Sequence, residues 1–216
     1  MSGDIVWFGL FIVLIFIGII WSHLYEKKRT EFLRLFFESK GCQYYQKEYD
    51  RNDFNGKENI NFIDENFGLF DKSYEGKDIG NLFKRDNSYF FDYNYFISRS
   101  YAIRGSISSY YFSVFESFFK KDLPSFVLKK KGFMNFIFRD ENIKSINKKY
   151  YIKSDELKGN EDFFNKIIDF FKDKKNNIFL EVRGNILVCW KKKVRKKNFE
   201  QFFNEFSDIE SFFNKL

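Results

Sequence analysis

The side chains able to do chemistry are few and scattered in this chain of 216 residues. Its single histidine, His23, excludes a His-based triad elsewhere in the chain and any multi-His metal centre. Its two cysteines, Cys42 and Cys189, are too few and too far apart for a disulfide framework or a Cys-only zinc site. No P-loop, Gly-x-Gly-x-x-Gly turn, His-Glu-x-x-His helix or Gly-x-Ser-x-Gly elbow occurs. The pair of glycines in Gly76-Lys77-Asp78-Ile79-Gly80 reads as a polar loop rather than a phosphate cradle. Asp92, set among aromatics in Phe90-Phe91-Asp92-Tyr93-Asn94-Tyr95, is the most interesting carboxylate; its plainer reading is an outward strand residue. Cys189 lies in an apolar strand and reads as a small core residue. Nothing near Cys42 in sequence activates its thiol. No catalytic residue, metal ligand or cofactor is therefore predicted.

The one interaction signal is charge. The formal net charge is +7. Lys191, Lys192, Lys193, Arg195, Lys196 and Lys197 place six cations in seven residues. A second basic stretch, 120–153, has ten Lys and Arg against three acids. Beside an anionic leaflet each cation is attracted by about 1 kcal/mol. Nucleic acid is the other polyanion, and phosphate contacts alone would bind it without regard to sequence. The third reading is a solvated lysine-rich surface. Composition supplies a reason for it: the chain has 33 Phe and one Ala, with heavy use of Lys, Asn, Ile and Tyr, the pattern of A/T-rich codons. Aromatic and lysine richness is discounted accordingly.

The solvated surface is the leading reading; of the two polyanions, location favours lipid. Ile5 to Trp21 is an uncharged run of 17 residues. Extended through Tyr25 it gives ~31 Å of helix, enough for a hydrocarbon core of ~30 Å. Trp7 and Trp21 stand near its two ends, where amphipathic rings favour headgroup depth. No Lys or Arg precedes the run and no Ala-x-Ala site follows it, so it reads as an uncleaved anchor rather than a signal peptide. Lys27, Lys28 and Arg29 follow on the C-terminal side only. The positive-inside rule then predicts a single-pass protein of the inner (cell) membrane, N-terminus outside and C-terminal domain in the cytoplasm. His23 reads as a polar interfacial residue.

The expected organisation is a transmembrane anchor over 1–25, a juxtamembrane amphipathic helix over 26–41 and a cytoplasmic domain over 42–216. The helix supplies Phe32, Leu33, Leu35, Phe36 and Phe37, and Gly41 stops it. Strands are predicted at 42–49, at Asn61–Ile63 and Phe67–Phe70 within a polar, turn-rich 51–85, and at 88–98, 106–119, 126–130 and 148–152, with Pro124 breaking the chain. A helix is predicted over 160–171, with Glu161 and Asp162 in its first turn and lysines at its end. Ile178–Val182 and Ile186–Trp190 flank Arg183-Gly184-Asn185, which reads as a tight hairpin. Asn198 is expected to cap a last helix with Phe199, Phe202, Phe203 and Phe206 on one face. Grouped strands joined by short turns predict the α+β class with an antiparallel sheet.

The order of several weak motifs resembles a family of bacterial single-pass membrane proteins of uncharacterised function. They are Lys28-Arg29 through Leu33 to Gly41, Phe91-Asp92-Tyr93-Asn94-Tyr95, Leu123-Pro124-Ser125-Phe126-Val127-Leu128, and Tyr150 to Asp155-Glu156, followed by the hairpin with Glu181 and Gly184. Where the family carries Pro-Glu after the Leu-Pro segment, this chain has Lys129-Lys130. The resemblance implies the same placement and fold, and brings no catalytic residue and no ligand. The sequence thus predicts a non-enzymatic, membrane-anchored interaction or scaffold domain. Its expected partner is the bilayer through residues 5–25; the basic run is read either as a contact for anionic headgroups or as a solvated surface. The alternatives are a tethered enzyme or ligand-binding regulator using Asp and Glu side chains brought together by the fold, and a tethered nucleic-acid binder.

Overall fold

The computed structural model describes residues 2–45, 67, 69, 75–99, 106–130, 142–146, 150–174 and 178–216. The chain divides into two compact units, Met1–Tyr44 and Tyr45–Leu216.

The first unit is built on one helix, α1, Ser2–Ser39. Its residues 7–25 are exposed and overwhelmingly apolar, and the helix is long and apolar enough to cross a membrane. No break separates residues 2–25 from 26–39: the apolar and charged portions are one helix. The charged portion gains an Arg34–Glu38 pair at 2.8 Å, the i,i+4 spacing that brings side chains together on a helix. Gly41 ends the helix as the sequence predicts. Its φ is +76°, and the Gly41 and Cys42 amides bond back to the Glu38 and Phe37 carbonyls. A short strand, β1, follows at Gln43–Tyr45. The rest of the expected 42–49 strand, and the pieces at 61–63 and 67–70 apart from residues 67 and 69, lie outside the described residues.

The second unit is α+β, as expected. Its strands are β2 (Glu75–Arg85), β3 (Ser88–Arg99), β4 (Ser106–Lys130), β5 (Ile143–Ser145), β6 (Tyr150–Lys153) and β7 (Phe179–Lys192). Two helices accompany them, α2 (Glu161–Lys172) and α3 (Phe199–Lys215). The pairings β2–β3, β3–β4, β4–β6, β5–β6 and β4–β7 are all antiparallel.

The polar stretch around Gly76–Gly80 is not a loop, which corrects the sequence reading. It is part of β2, paired with β3. The backbone ladder with β3 overrides weak strand propensity here. Two register shifts, together with Asn81 at φ +50°, absorb the irregular sequence.

The expected hairpin at Arg183–Asn185 is present inside β7. The Phe179 and Trp190 rings stack 5.8 Å apart. An extended strand would separate residues eleven apart by ~36 Å, so the chain doubles back between them. Gly184, at φ +54°, supplies the turn. β4 wraps around the tip of this hairpin. Its residues Phe112–Phe118 pair with Lys192–Ile186 on one side, and Phe126–Leu128 with Val182–Leu180 on the other. Four residues of β4, 119–122, pass the tip, between Phe118 opposite Ile186 and Leu123 opposite Gly184. The Asn185 side-chain amide donates to the Phe119 carbonyl there at 3.4 Å. Pro124 follows directly, where a missing N–H costs no ladder bond.

Strand alternation sorts the core into two layers. One face carries Tyr89, Phe91, Tyr93, Tyr95, Val114, Ile186 and Val188, packed with Phe67 and Leu69. The other is covered by the helices. Phe90 meets Phe199, Phe115 stacks on Phe206 at 4.1 Å, and Phe126 meets Phe164 and Phe213. α2 and α3 touch through stacked Phe170 and Phe212, 4.0 Å apart. Asn198 stands at the N-cap of α3 but makes no side-chain cap bond, contrary to expectation. It ends a 3-10 turn, Lys196–Asn198, whose last amide already bonds to the Arg195 carbonyl.

Candidate functional site

The basic run occupies the passage from β7 through an extended link and the 3-10 turn into α3. Three contacts fix its path. The Lys193 amide donates to the Tyr111 carbonyl at 2.9 Å, prolonging the β4–β7 ladder by one rung. The next amide, Val194, donates to the Ser113 hydroxyl at 3.1 Å. The Val194 side chain is itself buried and pegs the link to the sheet.

Ser113 passes the constraint on. Its hydroxyl donates to Asp92 Oδ1 at 3.1 Å, and Asn81 Nδ2 donates to Asp92 Oδ2 at 2.8 Å. Asp92 is thus half-buried and hydrogen-bonded between β2 and β4 rather than a plain outward residue. Both of its oxygens are occupied by donors, which suits a carboxylate that holds backbone in place.

The six cations do not form one surface. Lys191 lies on the helix-facing side of β7. Its ammonium is 3.5 Å from Glu205 Oε2 and 5.6 Å from the centre of the Phe202 ring. Lys193, two residues on, lies over the Tyr111 ring at 5.5 Å, past the reach of Glu205. Tyr111 is 49 % exposed. Lys192, Arg195 and Lys197 are exposed, and Lys196 is half-buried. Lys197 borders a shallow groove of about 520 Å³ along α3 that also holds Lys174, Glu200, Glu205 and Asp208. Lys174 pairs with Asp208 there at 3.4 Å. Acids therefore meet the basic run on its α3 side, and Glu205, remote in sequence, is the acid that reaches Lys191.

Three further carboxyls lie inside the second unit. Glu210 accepts from Ser117 at 2.6 Å and from Ser88, with Arg85 3.5 Å away. Glu181 is buried and pairs with Arg183 at 2.7 Å. Glu116 stands between Tyr89 and Val188 on the aromatic face, 1 % exposed, and its Oε1 has no hydrogen-bond partner. Desolvation there pushes its carboxyl well above the usual range. Cys189 is a free thiol, fully buried, and its ionisation is likewise pushed up by burial. It packs as the sequence predicts. Cys42 is also buried.

The expected membrane-flanking residues all lie on α1. Trp7 and Trp21 are each 74 % exposed, Lys27 and Lys28 are exposed, and Arg29 is buried. His23 is on the same helix. Sequence reasoning missed Tyr111, Ser113, Glu205 and Glu210. Only strand register and the α3 contacts bring them to their partners, so no local pattern marks them.

No family model, curated protein or solved structure matches the chain.

Proposed function

We propose that this protein is a membrane-anchored interaction or scaffold domain without catalytic activity, tethered by α1 with its C-terminal domain in the cytoplasm. The observation that carries this reading is the exposed apolar length of α1, residues 7–25, in a helix whose later turns are charged. Water would hydrate that surface at a cost of roughly 25 cal/mol per Å², which a bilayer removes. Cations flank the run on its C-terminal side only, which supports the orientation. The polar clusters of the second unit support the reading without catalysis. Their carboxylates are engaged with serine hydroxyls, an asparagine or cations, as structural groups are.

Alkaline extraction and protease protection test the proposal. The full chain should stay with the membrane pellet at high pH. Protease added to intact cells should spare residues 26–216 and digest them once the membrane is opened. Release into the alkaline supernatant, or cleavage of that domain from outside, would overturn it.

A further inference from the structure

The cations that follow the apolar run of α1 are not equivalent. Arg29 is buried, and Arg34 is paired with Glu38. Lys27 and Lys28 are exposed, and among the described residues neither pairs with an acid. Helical spacing then separates these two. Trp21, Tyr25 and Lys28 stand at i, i+4 and i+7, within about 60° of one another around the helix. Lys27 is turned about 100° away from Lys28. Trp21 and Tyr25 are exposed, as are Leu14 and Ile17, which precede Trp21 by seven and four residues on the same face. One stripe of α1 therefore passes from apolar side chains through two amphipathic rings to an unpartnered ammonium.

From Trp21 to Lys28 the helix rises ~10 Å, about the depth of a headgroup layer. Helical side chains incline toward the N-terminus, which for α1 is the direction of the apolar run. That inclination carries a lysine at 28 back toward the turn of Tyr25. The stripe then offers an indole N–H, a phenol hydroxyl and an ammonium in order of depth. Amphipathic rings settle at headgroup level, and a cation just beyond them meets phosphate oxygens. A second copy of α1, packed in parallel on this face, would set one Lys28 against the other, where like charges repel. A phosphate offsets that charge instead.

We propose that Trp21, Tyr25 and Lys28 form a docking site on α1 for the headgroup of an anionic phospholipid, its chains lying along Ile17 and Leu14. The inference rests on the anchored reading above, and adds to it one headgroup class and one face of the helix.

The full chain carrying Trp7→Phe and Trp190→Phe keeps a ring at both positions and leaves Trp21 as its one indole. It is reconstituted in vesicles of phosphatidylcholine and phosphatidylglycerol, with bromine on the chains of one lipid or the other. Quenching of Trp21 fluorescence then reports which lipid lies beside it. Phosphatidylglycerol should be preferred about fivefold, the effect of one cation close to an anionic surface. High salt should lower the preference. Lys28→Arg and Lys27→Gln should keep it, and Lys28→Gln should remove it. With Trp7 as the one indole, at the end of the run without cations, no preference should appear. Quenching of Trp21 in proportion to lipid composition would overturn the proposal, as would a preference that survives Lys28→Gln or that Trp7 shows equally. Quenching without preference that falls as the ratio of protein to lipid rises would replace lipid with a second copy of α1. Failure of the anchored reading shows separately, as an absence of quenching by either brominated lipid.

Discussion

Ser113 and Val194 are joined by a 3.1 Å hydrogen bond from the Val194 amide to the Ser113 hydroxyl, across 81 residues of sequence. Ser113 is fully buried, and its hydroxyl serves as acceptor for Val194 and donor to Asp92 at once. Ser113→Ala would leave a buried amide and one carboxylate oxygen each without that partner. The expected cost is about 1–3 kcal/mol. Denaturant unfolding reads the loss, and amide hydrogen exchange at Val194 should accelerate by more than at Leu187. Unchanged exchange at Val194 would mean the relay does not hold the link.

Glu116 predicts a specific dependence on pH. Its carboxyl titrates higher in the folded chain than the usual 4.5, through burial. The folded state then holds the proton more tightly than the unfolded state. The stabilisation is fully present below the unfolded value and is lost as pH rises through the raised folded value, by at most about 1.4 kcal/mol per pH unit. Glu116→Gln keeps the shape and removes the titration. The stability difference between Gln and Glu forms should grow with pH across this window, measured by chemical unfolding at several pH values. A difference independent of pH would refute the upward shift of the Glu116 carboxyl.

Phe206 is 1 % exposed and stacks on Phe115 at 4.1 Å, the closest ring pair between α3 and the sheet among the described residues. Phe206→Ala is expected to cost roughly 3–5 kcal/mol, a large share of a typical domain stability. Phe212→Ala, which removes the half-buried partner of Phe170, should cost less. Reversal of that order in thermal unfolding would show that the helix pair, not the sheet, supports α3.

The hairpin tip gives a backbone test. Gly184 is at φ +54°, and a Cβ there would sit 3.5 Å from Asp122 Oδ1, which leaves room. The penalty for Gly184→Ala is thus conformational, about 1–2 kcal/mol. Gly184→Asn should cost less, because Asn tolerates this region. Equal losses for Ala and Asn would point to crowding by β4 instead.

Much of the architecture is legible locally. The apolar run of α1, the stop at Gly41, the alternation of β3, the phenylalanine face of α3 and the turn at Gly184 each follow from neighbours within a few residues. β2 is not legible, because its strand character comes from the ladder with β3 and not from its own side chains. The basic run is half legible. Its charge density is plain in the sequence, but which cations face outward is not.

By itself, then, the sequence determined where apolar surface had to be removed from water, and so the long N-terminal helix, the α+β class and the presence of a basic edge. Those depend on short-range periodicity, which side-chain geometry converts directly into faces. Tertiary structure alone decided that β4 passes around the β7 hairpin, that Glu205 takes Lys191 while Tyr111 meets Lys193, and that Glu116 is sealed between Tyr89 and Val188. Each of those depends on strand register or helix placement. A shift of one residue would turn every side chain on the strand to the opposite face, and no local pattern in the sequence specifies the pairing.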